Sequence, residues 1–441
     1  MLNAEIIFKY VWSHFCSLYP KAKNLRVAYG ENENAAVKIS ACGLSFFSKN
    51  LPFPKDICWQ NWHEQRIPFL FQTKRTEVIS EAENTVIINA DIIAAAFYFL
   101  SGWQEIHSLE RDRFGRFPYK ASLQFQHQFV TIPVVNYYFD ILKTALEKGY
   151  GISLQNPQSQ FTTFLSHDVD RLESAWKIEG VKQLKKGNLL QIPKLGWQKL
   201  MRQDHWNNLK TVAKTVKKIG GVSTFFWLAQ KGKYQNQPNA DYDLTAPKYQ
   251  QQIKFLEAEG FENAVHGSFG SSENTLQLKN EAAKIGSNVS GNRFHYLCFD
   301  PVKTPQVLVE AGINYDSTLG FAEHFGFRNA YCFPFQLFDF SSLKPYPFLE
   351  IPLNLMDATL WHPNYLQITP EKVAEIIKPM LLEIKKFGGV FGLLWHNENF
   401  SELNTQNGLT AFGNILNELQ KQGSHFKTGS QLYQQFSEKL Q

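Results

Sequence analysis

Charged side chains are scarce in this chain of 441 residues: Asp, Glu, Lys and Arg make up 19%, below the roughly 25% usual in soluble proteins. That argues against disorder and against a coiled coil, and a hydrophobic share of 44% supplies a sizeable core. Neither sign of charge dominates. Lys and Arg number 45 against 40 Asp and Glu, a net charge of +5, too mild and dispersed for a nucleic-acid surface. Cysteine is sparse and unpatterned: Cys16, Cys42, Cys58, Cys298 and Cys332 form no CxxC pair, which excludes a zinc ribbon and a secreted disulfide framework. Met1 to Tyr10 lacks the basic start and apolar stretch of a signal peptide, with Glu5 and Lys9 in the way. The most apolar run, Ile92 to Leu100, is far short of the roughly 20 residues of a membrane span. A soluble, cytoplasmic protein with no transmembrane segment is the expectation. There is no GxGxxG or Walker sequence, no internal repeat and no low-complexity tract.

Aromatic residues are what the chain has in plenty: 37 Phe, 17 Tyr and 10 Trp. Most belong in a core, although an aromatic face also stacks on sugar rings. The clearest seam is Gly149 to Gln160, polar and Gln-rich with Gly and Pro. It predicts an N-terminal module over residues 1–155 and a larger unit over 156–441. In the first, Tyr29 to Phe47 and Thr85 to Ile88 read as short strands, and Ile92 to Leu100 and Tyr137 to Glu147 as helices. In the second, strands at Phe161–Leu165, Ser223–Leu228, Phe261–Val265 and Val390–Trp395 alternate with helical Trp206–Ile219, Lys248–Glu259, Asn274–Ile285, Glu371–Phe387 and Thr410–Gln420. Strand followed by helix, repeated, calls for parallel strands under covering helices. The fold class expected is α/β, a distorted (β/α) barrel with a smaller mixed α+β N-terminal domain. An open, doubly wound sheet is the alternative.

In either architecture the chemistry sits at the carboxyl ends of the strands. Three predicted strands end in carboxylate or imidazole: Ser166-His167-Asp168-Val169-Asp170, His266-Gly267-Ser268 and His396-Asn397-Glu398. Asp168 and Asp170 project to one side of an extended chain, about 6.5 Å apart. Two such carboxylates repel unless a cation or a proton lies between them, the arrangement of a metal site with an adjacent base; the other reading is an Asp turn. His266 is a metal ligand or a satisfied strand-end histidine, and Gly267 after it leaves room for close approach. His396 is a general acid or a structural imidazole. In Gly291 to Tyr296, Arg293 suits pairing with a carboxylate and His295 suits a ligand or substrate contact. Tyr315-Asp316-Ser317-Thr318 reads as a strand end or turn.

Taken in order, these segments resemble the polysaccharide deacetylases, the NodB-homology or carbohydrate esterase family four group, over about Phe161 to the C-terminus. SHDVD (Ser166–Asp170) looks like the first motif of that family, VHGSF (Val265–Phe269) like the second and RFHY (Arg293–Tyr296) like the third. YDST (Tyr315–Thr318) sits where the fourth begins, and LLWHN (Leu393–Asn397) looks like the fifth. The resemblance implies metal-dependent removal of N- or O-acetyl groups from a glycan or its precursor. It makes Asp168 the base, Arg293 its support, His396 the acid, and Asp170 and His266 metal ligands. Two departures stand out. Gly270 occupies the place of a second family histidine, and Val169 separates carboxylates that are adjacent in many relatives. His295, in the place of a family proline, is then the candidate third ligand. His167 is a poorer substitute, because strand alternation points it away. The divalent metal would be zinc, with cobalt or nickel as other choices. HGSF, RFHYL, YDSTLGF, GFR at Gly326–Arg328 and LWHN further resemble a Bacteroidetes-type sub-branch that pairs the barrel with an uncharacterised N-terminal module, a segment of which RDRFGRF (Arg111–Phe117) resembles.

The expected reaction is hydrolysis of an acetamido group, with the metal polarising the carbonyl and acidifying water, Asp168 taking a proton and His396 protonating the amine. Tyr296, Trp395 and Asp316 are the candidate substrate contacts, with core packing the other use for Trp395. Two rivals stay open: a carbohydrate-binding barrel that has lost its metal, favoured by Gly270, and a metal-dependent amidase acting on a non-sugar substrate. Lys177, Lys182, Lys185, Lys186, Lys194, Lys199 and Arg202 read as a solvated basic face or as a lid favouring an acidic glycan carrier. No protein partner is implied.

Overall fold

The computed structural model describes residues 2–30, 35–72, 77–157, 159–185, 187, 193, 196–197, 204–401 and 408–440. The N-terminal region is built on a four-stranded sheet of β1 (Val27–Tyr29), β2 (Val37–Ile39), β3 (Ile79–Ala82) and β4 (Thr85–Ile88) in the order β1-β2-β4-β3. Helices Ala4–Leu18, Ile92–Leu100 and Val134–Tyr150 pack with it. All nine residues of Ile92–Leu100 are buried, and the Asp91 carboxylate starts that helix by accepting the Ala94 N–H at 2.8 Å. The same carboxylate takes the Gly43 N–H at 2.8 Å, which ends the extended run. Leu44–Phe47, expected as strand, is therefore a helical turn.

The second region carries a curled sheet in which every ladder is parallel. Its strands are β5 (Thr162–Val169), β6 (Thr224–Leu228), β7 (Glu262–Gly267), β8 (Gly291–Phe294), β9 (Tyr315–Asp316), β10 (Leu349–Glu350), β11 (Leu355–Met356), β12 (Val390–Leu394) and β13 (His425–Phe426). They lie in the order β10-β9-β8-β7-β6-β5-β12-β11, with β13 beside the start of β5. Parallel strands covered on both faces read as continuous apolar runs, and β5, β6 and β12 are buried at every position. Helices return the chain between strands. In Leu209–Lys218 the buried Leu209, Val212, Ala213 and Val216 form one stripe, with lysines on the other face. Among the described residues no ladder joins β10 to β11, so this is a distorted, incompletely closed (β/α) barrel with a separate mixed α+β region before it.

One continuous cluster of buried side chains runs through both regions. Its polar ties are buried too: Arg328 holds Glu105 through two bonds of 2.7 and 2.6 Å, and Asn136 Oδ1 accepts the Cys332 N–H at 3.0 Å. The five cysteines are unpaired, and among the described residues no helix is long and apolar enough to cross a membrane.

Candidate metal and catalytic site

Strand alternation in β5 sends Ser166 and Asp168 inward and His167 outward. Arg293, at the end of β8, lies against both inward residues. Its Nη1 donates to Asp168 Oδ1 at 2.9 Å and to Ser166 Oγ at 2.8 Å, and its Nε and Nη2 donate to the Ser317 carbonyl and hydroxyl. The guanidinium is fully buried, 4.4 Å from the Phe226 ring centroid. Such a charge is tolerable only with its donors engaged, and one donor engages the Asp168 carboxylate, leaving Oδ2 free to face the cleft.

Asp170, His266 and His295 bring one atom each to a common point. His266 Nε2 lies 3.3 Å from Asp170 Oδ1 and 3.1 Å from His295 Nδ1, and His295 Nδ1 lies 3.6 Å from the same Asp170 oxygen. The opposite ring nitrogens set the tautomers. His266 Nδ1 donates to the Arg293 carbonyl at 2.8 Å, and His295 Nε2 to the Pro238 carbonyl at 3.3 Å. With both rings neutral, the two nitrogens that face each other are lone pairs, and Asp170 Oδ1, buried, has no hydrogen-bond donor. Three acceptors within 4.8 Å of one another repel unless a cation sits among them. Edges of 3.1 to 3.6 Å match the roughly 3.3 Å spacing around a tetrahedral ion with bonds of about 2.0–2.1 Å. The donor set fits a divalent metal, and the outer hydrogen bonds are the kind that orient ligating histidines.

Electrostatics draw positive charge to this point: burial disfavours charge on His266, but Asp168 and Asp170 outweigh it and raise its pKa, so a proton or a metal ion is favoured there. Burial works against charge on Asp170, yet the imidazoles of His295, His266 and His396 hold its carboxyl far below the ordinary range. Burial pushes His295 down to about 4 against the pull of Asp170, so its imidazole is neutral near pH 7.

His396 follows β12 at the rim opposite. Its Nδ1 lies 2.7 Å from Asp357 Oδ1, while Asp357 Oδ2 accepts the His396 backbone N–H at 2.7 Å and Asn399 Nδ2 at 2.5 Å. Burial disfavours the imidazolium, but Asp357 foremost, with Asp170 and Asp168, outweighs it and raises the pKa to about 10. Its Nε2, 3.6 Å from Asp170 Oδ2, points into the cleft carrying a proton. Asp357 was not among the expected residues. Its signal was a carboxylate directly after an apolar strand, weak here because β11 spans only Leu355–Met356.

The expected substrate contacts divide. Tyr296 is half-buried beside the His295 ring, 3.9 Å between centroids, with its hydroxyl 2.9 Å from the Pro238 carbonyl. Tyr296 and Leu297 adopt left-handed φ values of 58° and 56°, on the order of 1–2 kcal/mol of strain each for non-glycine residues. Trp395 is fully buried against Trp361 and Phe412 and packs in the core. Asp316 is not brought to the cleft: it is fully buried, bonded to Asn292 and Thr318, because its place in β9 sets it between Asn292 and Glu350. His167 lies among Phe225, Phe400 and Phe412, with Nδ1 on the Trp395 carbonyl. At Gly270, φ is +101° and a Cβ would come within 2.7 Å of the Tyr234 ring, so the space of the missing histidine is taken. Lys177, Lys182 and Lys185 lie on helix Ala175–Lys185; Lys186, Lys194, Lys199 and Arg202 fall outside the described residues.

Fold and donor set together define a (β/α) barrel with a candidate metal site at its carboxyl rim. Residues 3–151 match the model of a family of unknown function, DUF7033. No curated protein matches the chain. Among solved structures it is similar to the Puue allantoinase, at 12% identity and a TM-score of 0.42, over 63% of this chain and 91% of that one. It is also similar to a probable polysaccharide deacetylase from Pseudomonas aeruginosa PAO1, at 13% identity and a TM-score of 0.40, over 63% and 90%. A peptidoglycan deacetylase, PdaC from Bacillus subtilis, follows at 11% identity and a TM-score of 0.29, over 63% and 92%. Likeness at that level says nothing of chemistry, which rests on the side chains above.

Proposed function

We propose that this protein is a metal-dependent hydrolase that removes acetyl groups from an N-acetylated glycan or glycan precursor. The observation that carries the reading is the convergence of three lone-pair donors, Asp170 Oδ1, His266 Nε2 and His295 Nδ1, between a carboxylate held by arginine and a protonated histidine. A divalent cation on those donors, zinc in this reading, supplies Lewis acidity toward a carbonyl oxygen and a water.

The chain's own groups supply the rest. Asp168 is anchored through Oδ1 by Arg293, so Oδ2 takes the proton of the attacking water as its oxygen bonds to the acetyl carbon. His396, charged through Asp357, gives its Nε2 proton to the amide nitrogen as the C–N bond breaks. Acetate and a free amine leave. Tyr296 forms one wall of the mouth. Gly270 favoured a metal-free binding barrel, but His295 brings the third donor from the end of β8 instead.

The test is acetate release from N-acetylated oligosaccharides by protein reconstituted with zinc, cobalt or nickel, with non-sugar N-acetyl amides in parallel. Release from the oligosaccharides that stops on chelation is expected. Cleavage of the amides alone would contradict the glycan assignment.

A further inference from the structure

The loop Asp112–Phe117 belongs to the N-terminal region, yet it reaches the residue beside the third donor. Arg116 Nη1 donates to the Tyr296 carbonyl at 2.7 Å, and the Phe114 ring lies parallel to the Tyr296 ring, 4.7 Å between centroids at 8°. Cys298 Sγ approaches the Phe114 carbonyl at 3.6 Å. The loop is braced internally: Asp112 Oδ1 accepts the Phe114 and Arg116 N–H groups at 2.8 and 3.0 Å, and Asp112 Oδ2 accepts Arg116 Nε at 2.7 Å. Gly115, at φ +76°, closes the turn.

What it braces is a backbone in a costly conformation. His295 is followed by two left-handed non-glycine residues, Tyr296 and Leu297, and strained turns persist where their surroundings over-determine them. The His295 ring is held on both sides, by the Pro238 carbonyl on Nε2 and by the Tyr296 ring, 3.9 Å between centroids. We propose that Arg116 and Phe114 are positioning residues for His295, so that the N-terminal region completes the metal site of the barrel. This rests on reading Asp170, His266 and His295 as metal ligands. The N-terminal region thereby supplies, from outside the barrel, the rigidity that a donor on a strained turn needs.

The test uses the full chain with zinc or cobalt(II) alone. Zinc affinity is measured by chelator competition, the cobalt site by its visible absorption, and folding by the thermal transition. Arg116→Ala and Phe114→Ala should each weaken zinc binding, by about 10- to 100-fold for the arginine, and alter the cobalt spectrum; Arg116→Lys should recover part of the loss. In a His295→Ala background, Arg116→Ala should add nothing. Phe114 sits half-buried on the loop, so its variant keeps the question open to test if Arg116→Ala unfolds. Unchanged affinity and spectrum in both variants, or an undiminished further loss in the His295→Ala background, would overturn the positioning role alone. Wild-type protein that takes up neither ion would overturn it together with the hydrolase reading.

Discussion

His266 Nε2 and His295 Nδ1 face each other at 3.1 Å with their other ring nitrogens committed to backbone carbonyls. Neither facing nitrogen has a proton to offer unless one ring is charged. Burial keeps His295 neutral, while Asp168 and Asp170 outweigh burial and raise the pKa of His266, so the gap draws positive charge, and a metal ion takes the place of a proton on His266 Nε2.

Asp168 lies within 3.5 Å of His266 Nε2 but is bonded to Arg293. Asp168→Asn should lower kcat by about 10²- to 10⁴-fold while metal content stays near wild type. Kinetics and elemental analysis on one preparation check this. Loss of metal from the variant would make Asp168 a ligand rather than a base.

Against burial, Asp357, with Asp170 and Asp168 behind it, raises the pKa of His396 to about 10. An acid must carry its proton, so activity falls as pH rises through that pKa. Asp357→Asn removes the charge and turns an NH2 toward one of the donors that Asp357 now accepts. The alkaline limb of kcat/KM against pH should then move to lower pH by about one to two units, with a lower plateau. An unmoved limb would separate His396 from the proton transfer.

Away from the site, His14 is buried in helix Ala4–Leu18, with Nδ1 on the Tyr10 carbonyl and Nε2 accepting the Gln336 N–H at 3.1 Å. Burial lowers its pKa to about 4. The unfolded chain binds this proton below about pH 6.5 and the folded chain does not, so the stability His14 contributes is full above pH 6.5 and is lost as pH falls towards 4. By pH 4.5 the loss is about 2–3 kcal/mol. Denaturant unfolding of wild type and His14→Gln at pH 7 and 4.5 checks it: the acid-induced loss should be smaller in the variant.

How far the sequence went depends on strand length. β5, β7 and β12 are five or more residues long, with apolar pairs or runs (Phe164-Leu165, Ala264-Val265, Val390–Leu394) ahead of their polar ends, so Asp168, Asp170, His266 and His396 stand out. β9, β10 and β11 are two residues each, too short for periodicity to register. Asp357 was therefore missed, and Asp316 was set in the cleft when its ladder partners place it in the core. Arg116 and Tyr296 are 180 positions apart, and no local pattern announces a contact across such a span. His295 surfaced in the polar cluster Gly291 to Tyr296, and the histidine missing at Gly270 narrowed it to a ligand.

The most direct test is the metal content of freshly purified protein beside a His266→Ala variant. One equivalent of a divalent metal in wild type, lost in the variant while the fold survives, is what the account predicts. No metal in wild type, even after zinc, cobalt or nickel is supplied, would contradict it and leave a metal-free carbohydrate-binding barrel as the reading to pursue.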